Sequence, residues 1–247
     1  MPNPYILRAV SEAWTKESSA NKRVLDLSCG GGATAQMLND RGFRTVATEY
    51  HCPPFLGDSI QRVGGVNLNE SLPFKDECAD GVNLVEAIEH VEHQAQLIRE
   101  MARVVKTNGM IVISTPNVLN VFSRLRFLFT GFLRGRVRPL HYSFTPAMGH
   151  NIYLIHFYEL YYLLFHAGFE LEELRKTQVK FASRFFVPFV YPMMWICSLF
   201  AVIQPEKDPI QRKINWRILG YLFHSALLLS DNIVVKARKK GPSKETR

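Results

Sequence analysis

A glycine-rich turn is the first part of this sequence whose residue types could do chemistry. Three consecutive glycines, residues 30–32, follow an apolar run and precede a pattern typical of a helix. Glycine lets the backbone approach a ligand without a Cβ clash, and the amides of the following helix would point at that ligand. Asp26 precedes the turn, and Glu49 ends the next apolar run, 17 residues after Gly32. A carboxylate at that place accepts hydrogen bonds from a ribose diol, so the pattern predicts a nucleotide site.

Three interpretations of the turn are open at this point. Gly30, Gly32 and Ala35 match the dinucleotide fingerprint loosely, and such a match is weak when it stands alone. Asp26, four residues before Gly30, can instead orient the turn and meet the ammonium group of a bound amino acid. That arrangement suits S-adenosylmethionine, in which adenosine is joined to methionine. The third interpretation is a structural strand-to-helix turn that binds nothing.

A second cluster of reactive side chains comprises Glu86, Glu89 and His90. If these residues are helical, their i, i+3 and i+4 spacing places all three on one face, at the end of a predicted strand. His90 could then act as a general base. The cluster could instead hold a divalent cation together with His150, although a metal is not favoured. In the third interpretation, Glu89 and His90 only cap and orient the helix.

A basic and aromatic segment, residues 121–150, is predicted to form a lid. Arginine binds phosphate groups bidentately, and aromatic side chains beside it suit a membrane interface or stacked bases. A lid helix with a solvated basic face is the simpler alternative. The arginines of the segment are Arg124, Arg126, Arg134, Arg136 and Arg138, and the phenylalanines among them are Phe122, Phe127, Phe129 and Phe132.

Residues 181–229 form an apolar insertion whose central run, 185–203, has 19 residues and no charge. That length is at the border for a membrane span, and Pro188 and Pro192 would kink such a helix. If the strand after the insertion returns to the same sheet, a single crossing is excluded. We therefore expect a monotopic hairpin in one leaflet, with a helical cap or a dimer face as the alternative. The expected interface anchors are Trp195, Trp216 and Tyr221, and the basic run 236–240 would attract anionic lipid.

Length, composition and charge limit the possible fold class, partners and cellular location of the protein. The chain has 247 residues, of which 47% are hydrophobic, and this fits one α/β domain over residues 1–247 with a disordered tail at 240–247. The net charge of +8 admits nucleic acid, anionic lipid or phosphorylated substrates as partners. The four cysteines show neither zinc nor disulfide spacing, and the first residues show no signal-peptide pattern. Both observations favour a reducing, cytoplasmic location.

Strands and helices alternate along residues 22–120, which predicts a doubly wound, mostly parallel sheet. The long helix of this region is predicted over residues 86–106, with Asn108 and Gly109 as its stop. A further helix is predicted over residues 157–167, ended by Gly168. The predicted strands are 23–28, 44–50, 64–69, 80–88, 110–117, 169–177 and 230–238.

The run "VLDLSCGGG" at residues 24–32 resembles motif I of the class I S-adenosylmethionine-dependent methyltransferases. Glu49 and three longer stretches resemble the same family in order and spacing, and together they cover about residues 20–180 and the last strand. One departure is Ser28, which replaces the first glycine of the motif. The resemblance implies a seven-stranded Rossmann-like methyltransferase sheet, with the apolar helical insertion placed before the last strand. The three stretches are residues 66–93, 109–117 and 149–174.

The resemblance also implies which residues bind the cofactor. Four of them would surround its methionine part, namely Asp26, Ser28, Gly30 and Gly32. Glu49 would hold the ribose, and Glu86 would line the floor near the sulfonium. Asn67, with Leu68, would meet the adenine edge, although turn chemistry is an alternative role for this asparagine and for Asn69.

The expected function is that of an S-adenosylmethionine-dependent methyltransferase at the cytoplasmic face of a membrane, peripheral or monotopic. Its acceptor would be an oxygen on a lipid-linked or membrane-proximal molecule, such as a glycan on a polyprenyl carrier or a quinone precursor. A soluble sugar or an RNA end is the alternative acceptor, and nucleic acid is disfavoured because the apolar insertion does not resemble an RNA-binding groove. A non-catalytic, membrane-bound partner that binds S-adenosylmethionine is a further alternative, and Ser28 is its only support.

Overall fold

A computed structural model describes residues 3–51, 60–133, 153–202 and 207–240 of the chain. Seven strands form one sheet in the order β3-β2-β1-β4-β5-β7-β6. Strands β1 to β5 run parallel to one another, and β7 is antiparallel to both β5 and β6. The predicted fold class is therefore confirmed. The strands are β1 (Arg23–Leu27), β2 (Arg44–Glu49), β3 (Gln61–Gly64), β4 (Ala79–Val85), β5 (Val105–Pro116), β6 (Phe169–Lys176) and β7 (Asn232–Lys239).

Helices cover both faces of this sheet. The helices are α1 (Pro4–Trp14), α2 (Ala33–Asp40), α3 (Gln94–Val104), α4 (Val121–Thr130), α5 (Phe157–His166), α6 (Phe181–Val202), α7 (Pro209–Leu222) and α8 (Ser225–Leu229), and a short 3-10 helix spans Ile88–His90.

The core divides between the two faces because successive strand residues point to opposite sides. In β5, Ile111 and Ile113 join the cluster under α3 and α5, while Val112 between them joins the cluster under α1 and α2. Parallel strands that are buried on both faces read as continuous apolar runs, which explains why the sequence revealed them. The sheet is thus fixed from both sides, and the loops at its edges are positioned by a rigid support.

Trp14 packs the core cluster under α1 and α2 against the backbone of β4. Its indole is buried, and its ring meets Phe43 edge-to-face at 5.3 Å. A Cβ placed on Gly81 would lie 2.6 Å from the Trp14 ring, so only glycine lets the helix approach this closely. Gly81 therefore sets how closely α1 packs on the sheet.

Two predicted elements were placed wrongly. The helix predicted from residue 86 begins only at Gln94, because β4 ends at Val85 and Glu86 adopts a left-handed backbone with φ +50°. That helix also ends at Val104 rather than at Lys106, and its predicted stop, Asn108 and Gly109, lies within β5.

The third strand is displaced as well. It was predicted over residues 64–69, but it pairs with β2 over Gln61–Gly64. The residues after Val66 form a turn in which asparagine side chains bond to the backbone, and such bonds compete with a strand ladder.

The apolar insertion forms helices α6, α7 and α8 between β6 and β7. One isolated bridge, between Val179 and Ser230, joins the segments where the insertion leaves and rejoins the sheet. The inner side of α6 packs on Val121 of α4 and Leu228 of α8 through Met194. By length and composition, Phe181–Ala201 is the one helix among the described residues that could cross a membrane, and its most apolar window is 0% buried.

We expect Gly81→Ala to lower the free energy of unfolding by about 1–3 kcal/mol, because the new methyl group overpacks the contact with Trp14. Urea unfolding followed by circular dichroism measures this change. Gly220→Ala in α7 is the matched control, since a Cβ there meets no atom within 4 Å. An unchanged urea midpoint for Gly81→Ala would show that the packing of α1 is not limited by this glycine.

Candidate active site

The glycine-rich turn leaves β1 in a conformation that needs positive φ values. Ser28 has φ +55°, Gly30 has φ +53° and Gly32 has φ +85°. The turn is held by backbone hydrogen bonds from the Cys29 N–H to the Thr48 carbonyl and from the Gly32 N–H to the Cys29 carbonyl, both 2.9 Å. Ser28 therefore adopts the left-handed backbone that a glycine would adopt without strain.

Open space lies in front of this turn. A Cβ built on Gly30 or Gly31 would meet no atom within 4 Å. Helix α2 begins at Ala33, directly after the turn, and its N-cap residue, Gly32, has no side chain that could cap the helix. The turn and the start of α2 thus border a space that a ligand can enter.

Asp26 lies beneath the turn and is 1% exposed. Its Oδ2 accepts a 2.7 Å hydrogen bond from the Thr34 hydroxyl, and its Oδ1 accepts a 2.5 Å bond from the Asn83 amide. Trp14 Nε1 donates in turn to Asn83 Oδ1 at 3.3 Å. Burial raises the pKa of Asp26 to about 6. The carboxylate ties β1 to α2 and β4, so it orients the turn, while its contact with a ligand ammonium group stays a prediction.

Glu49 connects the end of β2 to the same turn. Its Oε2 accepts a 2.7 Å hydrogen bond from the Gly30 N–H, and its Oε1 accepts one from the Tyr50 N–H at 3.0 Å. The side chain is half-buried and adjoins the open space in front of Gly30. Its contact with ribose hydroxyls stays a prediction, and the geometry shows that it also holds the turn.

Asn67 is engaged in turn chemistry, which was the alternative to its role at the adenine edge. Its Oδ1 accepts from the Asn69 N–H at 3.0 Å, and its Nδ2 donates to Glu70 at 2.7 Å. Asn69 in turn accepts from the Glu92 and His93 backbone amides, which ties this loop to the start of α3. Leu68 between them packs partly against the core.

Two glutamates meet at the carboxyl ends of β4 and β5. Glu86 Oε1 accepts from the Ser114 hydroxyl at 2.8 Å, and its Oε2 accepts from the Asn232 amide at 2.6 Å. Glu89 is 1% exposed and accepts from the Thr115 hydroxyl at 3.3 Å. We call Glu86, Glu89 and these three donors the acidic floor.

The acidic floor favours protonated carboxyl groups. Burial raises the pKa of Glu86. Burial also raises the pKa of Glu89, to about 8, and the nearby charge of Glu86 adds to this shift. A proton on one of the two carboxyl groups avoids placing two negative charges close together. At neutral pH, Glu89 can therefore donate a hydrogen bond, as a neutral acid does.

His90 does not share a helical face with the two glutamates. It ends the 3-10 helix and is exposed, whereas Glu89 beside it is buried. The prediction that all three project from one α-helical face is therefore wrong, because the chain makes a tight turn here and α3 starts only after His93. His150 lies outside the described residues, and no group of three potential ligands with metal-site geometry occurs among the described ones.

The donors of the acidic floor were missed in the sequence. Ser114 and Thr115 follow the apolar run 110–113 near the end of β5, and this change to hydroxyl side chains is a signal of a functional edge that could have been used. Asn232 gave no such signal, since it lies 146 residues from Glu86 along the chain. Only the antiparallel return of β7 beside β5 brings it to this place.

Arg124, which the sequence marked as a phosphate ligand, lies in α4 next to this edge. Its Nε donates to the Leu119 carbonyl at 2.6 Å, while its Nη2 is buried with no hydrogen-bond partner among the described residues. Burial lowers the pKa of Arg124 and raises the pKa of nearby Tyr158 to about 12. The arginines at 134, 136 and 138 lie outside the described residues.

Comparison with known proteins agrees with this geometry. A family model described as "Methyltransferase domain" matches residues 3–174. The chain is 26% identical to the ubiquinone biosynthesis O-methyltransferase of Rickettsia canadensis, over 70% of this chain and 74% of that protein. It is 29% identical to a probable S-adenosylmethionine-dependent methyltransferase of Mycolicibacterium smegmatis, over 62% of this chain and 54% of that protein.

Solved structures share the fold at low sequence identity. A putative methyltransferase from Bacillus halodurans superimposes with a TM-score of 0.56 at 17% identity, covering 95% of this chain and 99% of that chain. The 1,6-didemethyltoxoflavin-N1-methyltransferase of Burkholderia thailandensis, solved with S-adenosylhomocysteine, gives a TM-score of 0.57 at 14% identity, covering 97% and 80% of the two chains.

The raised pKa of Glu89 predicts a pH-dependent stability. The folded protein binds this proton more tightly than the unfolded chain does, so its contribution is fully present near pH 4 and is lost as pH rises toward about 8. We expect Glu89→Gln to reduce the fall in unfolding free energy between about pH 6 and pH 8 by at least about 1 kcal/mol. Urea unfolding at a series of pH values measures it.

Glu92→Gln is the control for this pH series, because Glu92 is an exposed glutamate of the same loop. Glu92→Gln should leave the fall in unfolding free energy with rising pH unchanged. Burial also raises the pKa values of Glu86 and Asp26, so these two groups add a slope of the same sign in every variant. If the unfolding free energy of Glu89→Gln fell with pH in parallel to that of the wild type, the raised pKa of Glu89 would be contradicted.

Proposed function

The chain belongs to the class I S-adenosylmethionine-dependent methyltransferases, and from this premise we propose that it methylates an oxygen of a lipid-linked or membrane-proximal acceptor. The observation that carries the proposal is the position of the apolar insertion beside the acidic floor. Asn232, which follows α8 and opens β7, donates to Glu86. The Asn117 amide donates to the carbonyls of Ala226, Leu227 and Ser230 at the end of the same insertion.

The turn fits the proposed cofactor. The space in front of Gly30 and Gly31, the start of α2 and the Glu49 carboxylate form a cradle in which side chains would obstruct a ligand. In this proposal Asp26, Ser28, Gly30 and Gly32 surround the methionine part. Glu49 binds the ribose, Asn67 and Leu68 adjoin the adenine, and Glu86 lines the floor. When bound, S-adenosylmethionine supplies a sulfonium methyl group that is already activated.

The residues of this chain then have to orient the acceptor and remove its proton. His90 is exposed beside the acidic floor, so a proton taken from an acceptor hydroxyl can pass on to water. Glu89, protonated below about pH 8, can donate a hydrogen bond to the acceptor oxygen. Glu86 stays fixed by Ser114 and Asn232 and keeps the floor in one geometry. A divalent metal is not part of this proposal.

Three features support a lipid-linked acceptor. Curated relatives are named ubiquinone biosynthesis O-methyltransferases. Helices α4 and α6 expose apolar side chains and pack with α8, the helix that precedes Asn232 of the acidic floor. The unpartnered Arg124 Nη2 suits a phosphate or other anionic group of the acceptor. A glycan on a polyprenyl phosphate carrier and a quinone precursor both meet this description. The location that follows is the cytoplasmic face of a membrane.

Ser28 was the only argument for a non-catalytic protein. Because its backbone already holds the left-handed conformation, the serine does not prevent the turn from forming. A soluble sugar or an RNA end as the acceptor would leave the apolar insertion without a role.

Methyl-labelled S-adenosylmethionine tests the proposal. The purified protein is incubated with a detergent-dispersed membrane extract of the native host, which is then partitioned between organic solvent and water. We expect label in the organic phase. Label confined to the aqueous phase would contradict a lipid-linked acceptor and favour a soluble sugar or RNA. No transfer by a protein that binds the cofactor would favour the non-catalytic alternative.

Two substitutions separate cofactor binding from turnover. Glu49→Ala should weaken cofactor binding by about tenfold or more, because it removes the ribose contact and loosens the turn. His90→Ala should leave the cofactor affinity unchanged and lower kcat by about 100-fold. Isothermal titration and the labelling assay measure the two effects, and His166→Ala, an exposed histidine of α5, is the control. Unchanged kcat in His90→Ala would exclude it as the general base.

A further inference from the structure

The outer side of α6 carries a stripe of apolar side chains that nothing in the described structure covers. Its three most exposed members are 83%, 72% and 75% exposed. The spacing of three and four residues keeps the stripe within an arc of about 120° on the helix. The α6 stripe consists of Phe181, Phe185, Phe189, Met193, Ile196 and Phe200, and its most exposed members are Phe181, Phe189 and Phe200 in that order along the helix.

The opposite side of α6 is packed against the protein. Val187, Val190 and Met194 join a cluster with α4 and α8, and Tyr191 meets Phe223 edge-to-face at 5.1 Å. A free-standing membrane span would be covered by lipid all round. The division into a packed side and an exposed side therefore fits a helix that lies along a surface.

Two helices that pack on α6 also expose apolar side chains. Leu128 and Phe129 at the end of α4 are 73% and 79% exposed. Helix α4 packs against α6 through Val121. In α7, Ile210 and Trp216 are also exposed. Soluble monomers rarely expose this many large apolar side chains on adjacent helices.

The charges around this area are mostly positive. Residues 180–229 contain six basic residues and only two acidic ones, and neither α6 nor α7 contains an acidic residue. A second copy of the chain would bring the same positive charges to a shared interface, which opposes self-association. Anionic phosphate headgroups complement them. The basic residues are Lys180, Arg184, Lys207, Arg212, Lys213 and Arg217.

Both ends of the insertion are fastened to the sheet at one place. The Asp231 N–H donates to the Gln178 carbonyl at 2.9 Å, and Lys180 pairs with the Asp231 carboxylate at 2.7 Å. Because the chain leaves and returns at the same point, α6 cannot cross a bilayer alone. Pro188 and Pro192 lie near its middle, and each removes one backbone hydrogen bond of the helix.

From these observations we propose that α4, α6 and α7 form a docking surface for one leaflet of a bilayer that contains anionic phospholipid. The α6 stripe lies in the plane of the leaflet at the level of the headgroups and first acyl carbons. Trp195 and Trp216 lie at the interface, and the cations of α7 meet lipid phosphates. This inference rests on the proposed function and deepens it, because it assigns the surface that brings the site to a lipid-linked acceptor.

Vesicle sedimentation tests the docking surface without cofactor or acceptor. The purified chain is mixed with vesicles of phosphatidylcholine alone, or with phosphatidylglycerol at about one third. We expect the chain to pellet with the anionic vesicles and at least about fivefold less with the neutral ones. The double substitution Phe185→Ser and Phe189→Ser should lower the bound fraction by about tenfold. Lys213→Gln with Arg217→Gln should reduce the preference for anionic lipid.

Phe165→Ser is the matched control for the aromatic substitutions. Phe165 is exposed to a similar degree, but it lies in the last turn of α5, just before β6 begins. Helix α6, in contrast, begins after β6 ends. It should pellet like the wild type. Circular dichroism and cofactor binding verify that each variant is folded.

Tryptophan quenching by brominated lipids locates the contact. Trp195 and Trp216 should be quenched, most strongly by lipids brominated near the headgroup, whereas buried Trp14 should not. The variant Trp195→Phe with Trp216→Phe keeps only Trp14 and should lose the quenching.

Three results would overturn the inference. They are failure of the wild type to pellet with anionic vesicles, unchanged binding of the Phe185 and Phe189 variant, and a dimer in sedimentation equilibrium that this variant abolishes without any vesicle binding. None of them depends on methyl transfer, which the detergent-dispersed assay tests separately.

Discussion

Buried carboxyl groups at the carboxyl edge of the sheet set the constraint on which the site depends. A buried carboxylate is costly unless it is hydrogen-bonded, so each one recruits donors from other elements. Asp26 accepts hydrogen bonds from Thr34 and Asn83. Glu86 accepts hydrogen bonds from Ser114 and Asn232. These bonds join β1, α2, β4, β5 and β7 at the point where a ligand would lie.

The same hydrogen bonds connect the site to the apolar insertion. Asn232 is the first residue of β7, shortly after α8, and the Asn117 amide donates to the carbonyls of Ala226 and Leu227 in α8. A displacement of the insertion would therefore move Asn232, which donates a hydrogen bond to Glu86. Asn232 therefore connects the proposed lipid-docking surface to the proposed acceptor site.

Local structure at two places of the site differs in how far the sequence predicts it. The Glu86, Glu89 and His90 spacing predicted one helical face, yet a tight turn buries Glu89 and exposes His90. There, the burial of Glu89 in the folded protein outweighs the helical periodicity. Asn67 makes the turn bonds that local chemistry predicted as one of its two roles, and its contact with adenine stays a prediction.

The sequence by itself determined the fold class, the glycine-rich turn with Asp26 and Glu49, the insertion before the last strand and the family. Those features are local, because continuous apolar runs mark buried strands and glycines mark positive φ values. Only the tertiary structure decided that Asn232 completes the acidic floor, that burial raises the pKa of Glu89, and that one side of α6 stays uncovered. Burial and contacts between residues far apart in sequence exist only once the whole sheet has formed, so no local sequence pattern contains them.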